Sequence, residues 1–310
     1  MSRIVFFGTP SFAVPSLDAI IKAGEDVVAV VTQPDRPKGR GRILTPSPVK
    51  ELAMQHKIPI LQPERIRDGV FVKRLKELAT DFIVVVAYGN ILPKMILDIP
   101  PFGCVNLHAS LLPRYRGAAP VNWAIINGER ETGVTTMLMD EGMDTGPILL
   151  SERLLIANDD TAETLGNRLA KSGAGLLLKT LVGLRHATIK PIPQDHTQAT
   201  YAPMLKKEGG HIDWCKGAEE IRNLVRGLIP WPGAYTSWKE MRWNIYGGEV
   251  VRSETKARPG TILRTSPEGI EVATGKGIFL ITELQLEGKK RMKVSEFLRG
   301  YRVEAGQVLN

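Results

Sequence analysis

Continuous apolar runs too short to be helices set the fold of the first half of this chain. Residues 4–7 are Ile-Val-Phe-Phe and end at Gly8; residues 27–31 and 82–87 are further runs built of Val, Ile, Phe and Ala, and residues 103–107, Gly-Cys-Val-Asn-Leu, read as another buried strand. A strand that is apolar on both faces must be covered on both, which is the condition of a parallel sheet buried between helices. The stretches between supply the cover. Residues 11–23 place Phe12, Leu17, Ile20 and Ile21 at helical spacing, and residues 49–56 and 69–79 read as further helices. Strands alternating with helices predict an α/β fold with a doubly wound, mostly parallel, Rossmann-like sheet. Helices over 118–127 and 161–184 complete this part, the second with Leu165, Leu169, Leu176 and Leu177 along its apolar side.

The pattern changes after residue 188. Residues 189–207 hold Pro191, Pro193 and Pro203 among polar residues and end in Lys206 and Lys207, which reads as an extended linker. Three parts are therefore expected: a domain over 1–188, the linker 189–207, and a smaller domain over 208–310. In the last, one helix over 218–228 precedes short strands near 234–238, 243–246, 249–253, 260–264, 269–273 and 278–285. That spacing predicts a second, smaller OB-like β-barrel. Trp214, Trp231, Trp238 and Trp243 fall here and are expected to pack a core rather than to stack on bases.

Composition removes several classes of function. The 310 residues carry 41 Lys and Arg against 33 Asp and Glu, a formal charge of +8, which suits a polyanionic partner. After residue 200 there are eighteen Lys and Arg against thirteen acids, so the smaller domain is the more basic per residue. Cys104 and Cys215 form no close pair, the five histidines are scattered, and no carboxylate cluster has ligand spacing, so no metal is expected. The turn after the first strand, Gly8-Thr9-Pro10-Ser11-Phe12-Ala13, lacks the later glycines of a dinucleotide site, and no P-loop string occurs. Met1 leads straight into a strand, with no presequence pattern and no apolar run of membrane length, so cytoplasmic residence is expected.

Chemically useful groups concentrate in residues 104–117 and 140–146. Alternation along a strand ending near residue 108 points Asn106 and His108 to one face. A second β-rich run over 132–139 puts Asp144 on the loop after it, where open α/β sheets bind ligands. An amide, an imidazole and a carboxylate are thus expected to converge. A separate feature is the stretch 33–50, which is too long and basic for a plain connection: Arg36, Lys38, Arg40, Arg42 and Lys50 stand against one acid, Asp35.

The run N-L-H-A-S-L-L-P-R-Y-R-G at 106–117, followed by M-D-E-G-M-D-T-G at 139–146, resembles the signature of the folate-dependent formyltransferases. With G-T-P-S-F at 8–12 and T-Q-P-D-R-P-K-G-R-G-R at 32–42, the chain is similar over essentially its whole length to the members that formylate initiator methionyl-tRNA. The resemblance implies direct attack of the methionyl α-amine on the formyl carbon of 10-formyltetrahydrofolate. In that chemistry His108 relays the proton, Asp144 orients its ring, and Asn106 donates to the oxyanion. It places Ser110, Leu111, Leu112 and Pro113 against the folate. It places the pterin at residues 88–92, with Asn90, Ile91 and Leu92, and at the loop leading to Asp144. The loop with Arg36, Lys38, Arg40 and Arg42 is implied to enter the tRNA acceptor end, with Arg40 foremost, and Lys206 and Lys207 are further tRNA contacts. A monomer is expected. Rival readings are a formyltransferase for a small amine, a hydrolase releasing formate, and a catalytically silent RNA-binding protein.

Overall fold

A computed structural model describes residues 1–38, 43–251 and 253–310. In chain order its strands and helices are β1 (Arg3–Gly8), α1 (Val14–Lys22), β2 (Asp26–Val31), β3 (Arg36–Lys38), β4 (Ile43–Thr45), α2 (Pro48–Gln55), β5 (Ile60–Leu61), α3 (Gly69–Glu77), β6 (Phe82–Val86), α4 (Lys94–Leu97) and β7 (Cys104–His108). There follow α5 (Pro120–Ile126), β8 (Glu131–Leu138), β9 (Ile148–Leu155), α6 (Ala162–Arg185), α7 (Ala218–Gly227), β10 (Ala234–Trp238), β11 (Met241–Val251), β12 (Ile262–Ser266), β13 (Gly269–Ala273), β14 (Ile278–Leu286), β15 (Met292–Lys293) and α8 (Val294–Gly300). The chain divides into two compact units, one of residues 1–120, 131–155 and 166–202, the other of residues 121–130, 156–165 and 203–310. Among the described residues no helix is long and apolar enough to cross a membrane.

The first unit is built on a seven-stranded sheet in the order β5-β2-β1-β6-β7-β8-β9. The apolar runs occupy its middle: Ile4, Val5, Phe6 and Phe7 on β1 and Ile83, Val84 and Val86 on β6 are fully buried. From β5 to β7 every pairing is parallel. At β7 the direction changes, because β8 pairs with it antiparallel and β9 pairs antiparallel with β8. The sheet is therefore mixed, as the mostly parallel expectation allows. Strand β9 escapes the sequence reading because its outer residues alternate between half-buried and exposed, which leaves little apolar signal.

Pairing is present in two stretches where the sequence shows no strand. Residues 33–50 contain the hairpin β3–β4, with Arg36 opposite Thr45 and Lys38 opposite Ile43, and then the start of α2. Residues 189–202, the greater part of the expected linker, belong to the first unit. Ile192 and Ile148 exchange two backbone hydrogen bonds at 2.8 Å, and Arg116 does the same with Thr200 and Ala202, at 2.8 and 2.7 Å.

The second unit carries an antiparallel sheet in the order β10-β11-β14-β13-β12, with β15 added to β14. The path is open at β10 and β12, so the expected barrel is present as an open sheet and not as a closed cylinder. The two strands expected over 243–246 and 249–253 are one strand, β11, with irregular register at Gly247 and Gly248. A glycine pair resembles a turn in sequence, yet here it makes a bulge: a Cβ on Gly248 would lie 2.1 Å from the tip of the Phe279 ring, which leaves no room for a side chain there. Trp214, Trp238 and Trp243 are buried, as expected, whereas Trp231 is half exposed. The Trp243 ring lies 5.1 Å from both Trp238 and Phe297 and has no exposed surface. Trp243→Ala should thus cost about 3–5 kcal/mol through cavity formation, read as a lowered midpoint for this unit in chemical denaturation followed by circular dichroism.

Candidate active site

Asn106 and His108 sit two residues apart on β7 and share a face, and the structure brings Asp144 to them. Asn106 Nδ2 lies 3.4 Å from Asp144 Oδ1, and His108 Nδ1 lies 3.6 Å from Asp144 Oδ2. The first is a long hydrogen bond and the second is beyond one, so the three groups face each other with slack. The tight bonds run to backbone instead. Gly117 N–H donates to Asp144 Oδ2 at 2.8 Å, and His108 Nε2 is 2.9 Å from the Tyr115 carbonyl. A carbonyl only accepts, so Nε2 carries the ring proton, and Nδ1 is the nitrogen that gains or gives a second one. The side chains of His108 and Asp144 are only 7% and 14% exposed, which strengthens any charge interaction between them relative to water.

The route by which Asp144 arrives differs from the expected one. Because β8 runs antiparallel to β7, its last residue Leu138 lies beside Val105, and Met139 N–H donates to the Cys104 carbonyl at 2.8 Å. The connection to β9 must therefore fold back along β7 to reach Asn106 and His108. It does so within a few residues: Asp140 Oδ1 accepts from Gly142 N–H at 3.0 Å and from Thr145 Oγ1 at 2.6 Å, closing a tight turn. Asp144 itself holds φ +55°, a conformation Asp tolerates better than most residues and one that concentrates at functional sites. Gly146 is packed so closely that a Cβ there would sit 1.8 Å from the Leu138 carbonyl oxygen.

The expected folate residues divide by exposure. Ser110 and Leu112 are buried and spent on the turn itself: Ser110 Oγ donates to the Arg114 carbonyl at 2.6 Å, and Thr135 Oγ1 donates to the Ser110 carbonyl at 2.7 Å while accepting from Leu112 N–H at 3.3 Å. Leu92 is a core residue, and Leu111 and Pro113 are half-buried. Asn90 and Ile91 are exposed, Ile91 at 57%. Burial pushes the Cys104 thiol up to about 12, so the one cysteine on β7 offers no thiolate nucleophile near neutrality. Among the described residues no group of three or more His, Cys, Asp or Glu is arranged to hold a metal ion.

Of the expected tRNA contacts, Arg36, Lys206 and Lys207 are exposed, and Arg40 and Arg42 lie outside the described residues, as does the side chain of Lys38. Lys50 is not free for phosphate. Its Nζ is bonded to Asp35 Oδ2 and, at 2.8 Å, to Gln62 Oε1, while Gln62 Nε2 donates at 2.9 Å to both Asp35 Oδ1 and the Gln33 carbonyl. This clamp closes the root of the hairpin. Hydrogen bonds from Lys50 first and Gln62 second hold the Asp35 carboxyl below the usual carboxylate range.

Residues 2–181 match the formyl transferase family, and residues 204–302 match the C-terminal domain of formyl transferases. The chain belongs to the formyl transferase family. It is 54% identical over 308 residues to the methionyl-tRNA formyltransferase of Desulforamulus reducens, covering 99% of this chain and 97% of that one. It is 55% identical over 306 residues to the same-named protein of Pelobacter propionicus, covering 99% and 95%. Solved structures with the same fold include an N-formyltransferase from Helicobacter canadensis in complex with folinic acid and dTDP-3-aminofucose, at TM-score 0.66 and 19% identity, covering 94% of this chain and 100% of that one. HypX from Aquifex aeolicus in complex with tetrahydrofolic acid is another, at TM-score 0.64 and 16% identity, covering 99% of this chain and 50% of that one.

Sequence reading passed over three groups that this formyl transferase uses to build the site. Thr135 gives no signal beyond one more β-branched residue in a strand. Arg116 is visible in the R-Y-R-G run but is only 2% exposed, which sequence does not reveal. Gln194, 6% exposed, hides in the proline-rich stretch; its Nε2 donates to the Asp144 carbonyl at 2.9 Å and the Gly146 carbonyl at 2.7 Å.

Two outcomes follow from this packing. Gly146→Ala should displace the Asp144 loop and abolish activity while the β1–β6 core stays folded, read by turnover assay beside circular dichroism. For the clamp, a carboxyl depressed in the folded state contributes stability above its unfolded value of about 4, lost as pH falls through the folded value. Asp35→Asn should thus raise amide exchange around Lys50 and Gln62 relative to the parent chain at neutral pH, with the ratio shrinking towards one in acid.

Proposed function

We propose that this chain transfers the formyl group of 10-formyltetrahydrofolate to the α-amine of initiator methionyl-tRNA, in the cytoplasm. The observation that carries the reading is the convergence of Asn106, His108 and Asp144 in a chain that matches relatives named methionyl-tRNA formyltransferase over nearly its full length at 50–55% identity. The catalytic domain is the one at 1–188 with residues 189–202 fastened to it, the connection is thereby cut to 203–207, and 208–310 is an OB-like tRNA-binding domain. An open five-stranded antiparallel path bent at a glycine bulge supports the OB-like reading.

The folate supplies the formyl carbon, and the aminoacyl end of the tRNA supplies the amine. On the protein side, Asn106 Nδ2 is the donor for the oxygen that becomes negative as the new N–C bond forms, and it carries no charge of its own. His108 Nδ1 takes the proton that the attacking amine loses and returns it to the departing folate nitrogen as the old C–N bond breaks. Asp144, fixed through Gly117 N–H, faces Nδ1 and stabilises the ring while it holds two protons. Exposed Asn90 and Ile91, with half-buried Leu111 and Pro113, have surface to offer the folate, whereas Ser110, Leu112 and Leu92 shape the wall behind them.

For the tRNA, the reading assigns Arg36 and Lys38 on β3, whose root is clamped, the sequence neighbours Arg40 and Arg42, which lie outside the described residues, and Lys206 and Lys207, which add exposed charge in the second unit. Phosphate contacts of this kind make affinity fall with salt, which formylation of a small amine should not do. The test measures formyl incorporation into methionine-charged initiator tRNA, methionine-charged elongator tRNA and a free amine, at low and high salt. Transfer confined to the initiator, reduced by salt and by Arg40→Ala, is expected. His108→Ala should lower the rate about 100- to 10,000-fold and Asn106→Ala on the order of 100- to 1,000-fold, with unfolding midpoints close to the parent. Salt-insensitive transfer to the free amine alone would overturn the tRNA assignment.

A further inference from the structure

Arg116 is an anomaly in the first unit. Its guanidinium is all but inaccessible at 2% exposure, and among the described residues it makes no ion pair. A buried cation without a carboxylate is expensive and is satisfied here by neutral acceptors alone. Arg116 Nη2 donates to Gln194 Oε1 at 2.6 Å, Nε lies 3.2 Å from the same oxygen, and Nη2 is also 3.0 Å from His196 Nδ1. Arginine has only donors, so this contact forces the oxygen of the Gln194 amide towards Arg116. The amide nitrogen is then forced the other way, onto the carbonyls of Asp144 and Gly146. Those two carbonyls can only accept. A flipped amide would thus oppose donor to donor on one side and acceptor to acceptor on the other, which leaves Gln194 a single orientation.

The backbone around Arg116 points to the same place. The Tyr115 carbonyl faces His108 Nε2, and Gly117 N–H binds the Asp144 carboxylate. Positive φ angles at Tyr115 (+59°) and Gly117 (+112°) turn these groups inward, and a Cβ on Gly117 would lie 2.8 Å from the Ala202 carbonyl oxygen. Asp144 is therefore held at both ends, its carboxylate by Gly117 and its own carbonyl by Gln194. With φ at +55° the residue leaves its preferred conformations, and two bonds to the backbone that brackets it oppose its return.

We propose that Gln194, keyed in place by the buried guanidinium of Arg116, is a positioning residue for Asp144, and that residues 189–202 are thereby part of the catalytic machinery. The inference rests on the reading of Asp144 as catalytic given above.

The test is Gln194→Glu. This variant keeps an oxygen for Arg116, and indeed supplies a carboxylate partner, but it loses both donors to the Asp144 loop. Misplacing a catalytic group by about 1 Å costs on the order of 100-fold in rate, so kcat should fall by about that factor with KM for folate and tRNA little changed. The ion pair gained with Arg116 and the two donors lost to the Asp144 loop act on stability in opposite directions, so kcat is read per folded molecule, with the folded fraction taken from the thermal midpoint. A merely structural Gln194 gives the opposite pattern, with kcat per folded molecule retained in Gln194→Glu, and that result overturns the proposal. Should Gln194→Glu fold poorly, Gln194→Met at single turnover, normalised to the tetrahydrofolate-binding fraction, decides in its place: full activity there also overturns it. Asp144→Asn, run in parallel, separates the two assignments. If it is as fast as the parent, the catalytic reading of Asp144 falls and the positioning role with it; if it is inactive while Gln194→Glu is fast, the positioning role alone falls.

Discussion

The reversal of strand direction at β7 decides where the functional groups of the first unit can meet. A fully parallel sheet would send the residue after β8 to the same edge as the end of β7, and a carboxylate there would project from a neighbouring loop. With β8 antiparallel, the chain leaves β8 beside Val105, at the far end of β7 from His108. Only a connection that folds back on itself can then supply the third group. The short turn closed by Asp140, the close-packed Gly146 and the positive φ of Asp144 are consequences of that requirement. Folding back costs backbone freedom, and donors from outside the loop, Gly117 and Gln194, offset it.

The same logic governs the basic stretch between β2 and α2. Several like charges in one loop repel one another, and an unsupported loop would spread them. Pairing of β3 with β4 gives the strands a common register, and the Asp35, Lys50 and Gln62 clamp ties off the root. One of the five cations is withdrawn from any partner to do this. In the second unit, charge and core are separated: Trp214, Trp238 and Trp243 are taken into the interior, and the Lys206-Lys207 pair lies on the surface. Trp231, half exposed and flanked by prolines, is the exception and is the aromatic side chain of that set left with surface to offer.

Sequence carried most of this architecture where local signals were strong. The parallel strands were legible because runs such as Phe82-Ile83-Val84-Val85-Val86 have no amphipathic alternative, and Asn106 and His108 were legible because period two is fixed by the strand itself. Asp144 was found as a residue but not as a geometry, since strand direction at β8 is a tertiary choice that no local pattern encodes. The Gly247-Gly248 pair misled for a related reason: glycine marks permissive backbone, and whether that permits a turn or a bulge depends on Phe279, 31 residues beyond Gly248. Gln194 left no trace and Arg116 showed only as one letter of R-Y-R-G, because a buried polar residue and an exposed one are the same letters.

Residues 189–202 show why composition misjudged one segment in particular. Pro191 and Pro193 keep the chain extended, and an extended chain makes no hydrogen bonds within itself. Read alone, that is a linker. Placed against a folded surface, it is a strip of unpaired donors and acceptors, and each must find a partner when buried. Ile192 finds Ile148, Thr200 and Ala202 find Arg116, and the side chain of Gln194, between these two attachments, reaches the loop that carries Asp144. The prolines that argue against secondary structure thus leave the backbone free to be fastened on both sides of one glutamine, and that fastening is what allows a side chain fifty residues beyond Asp144 to set its position.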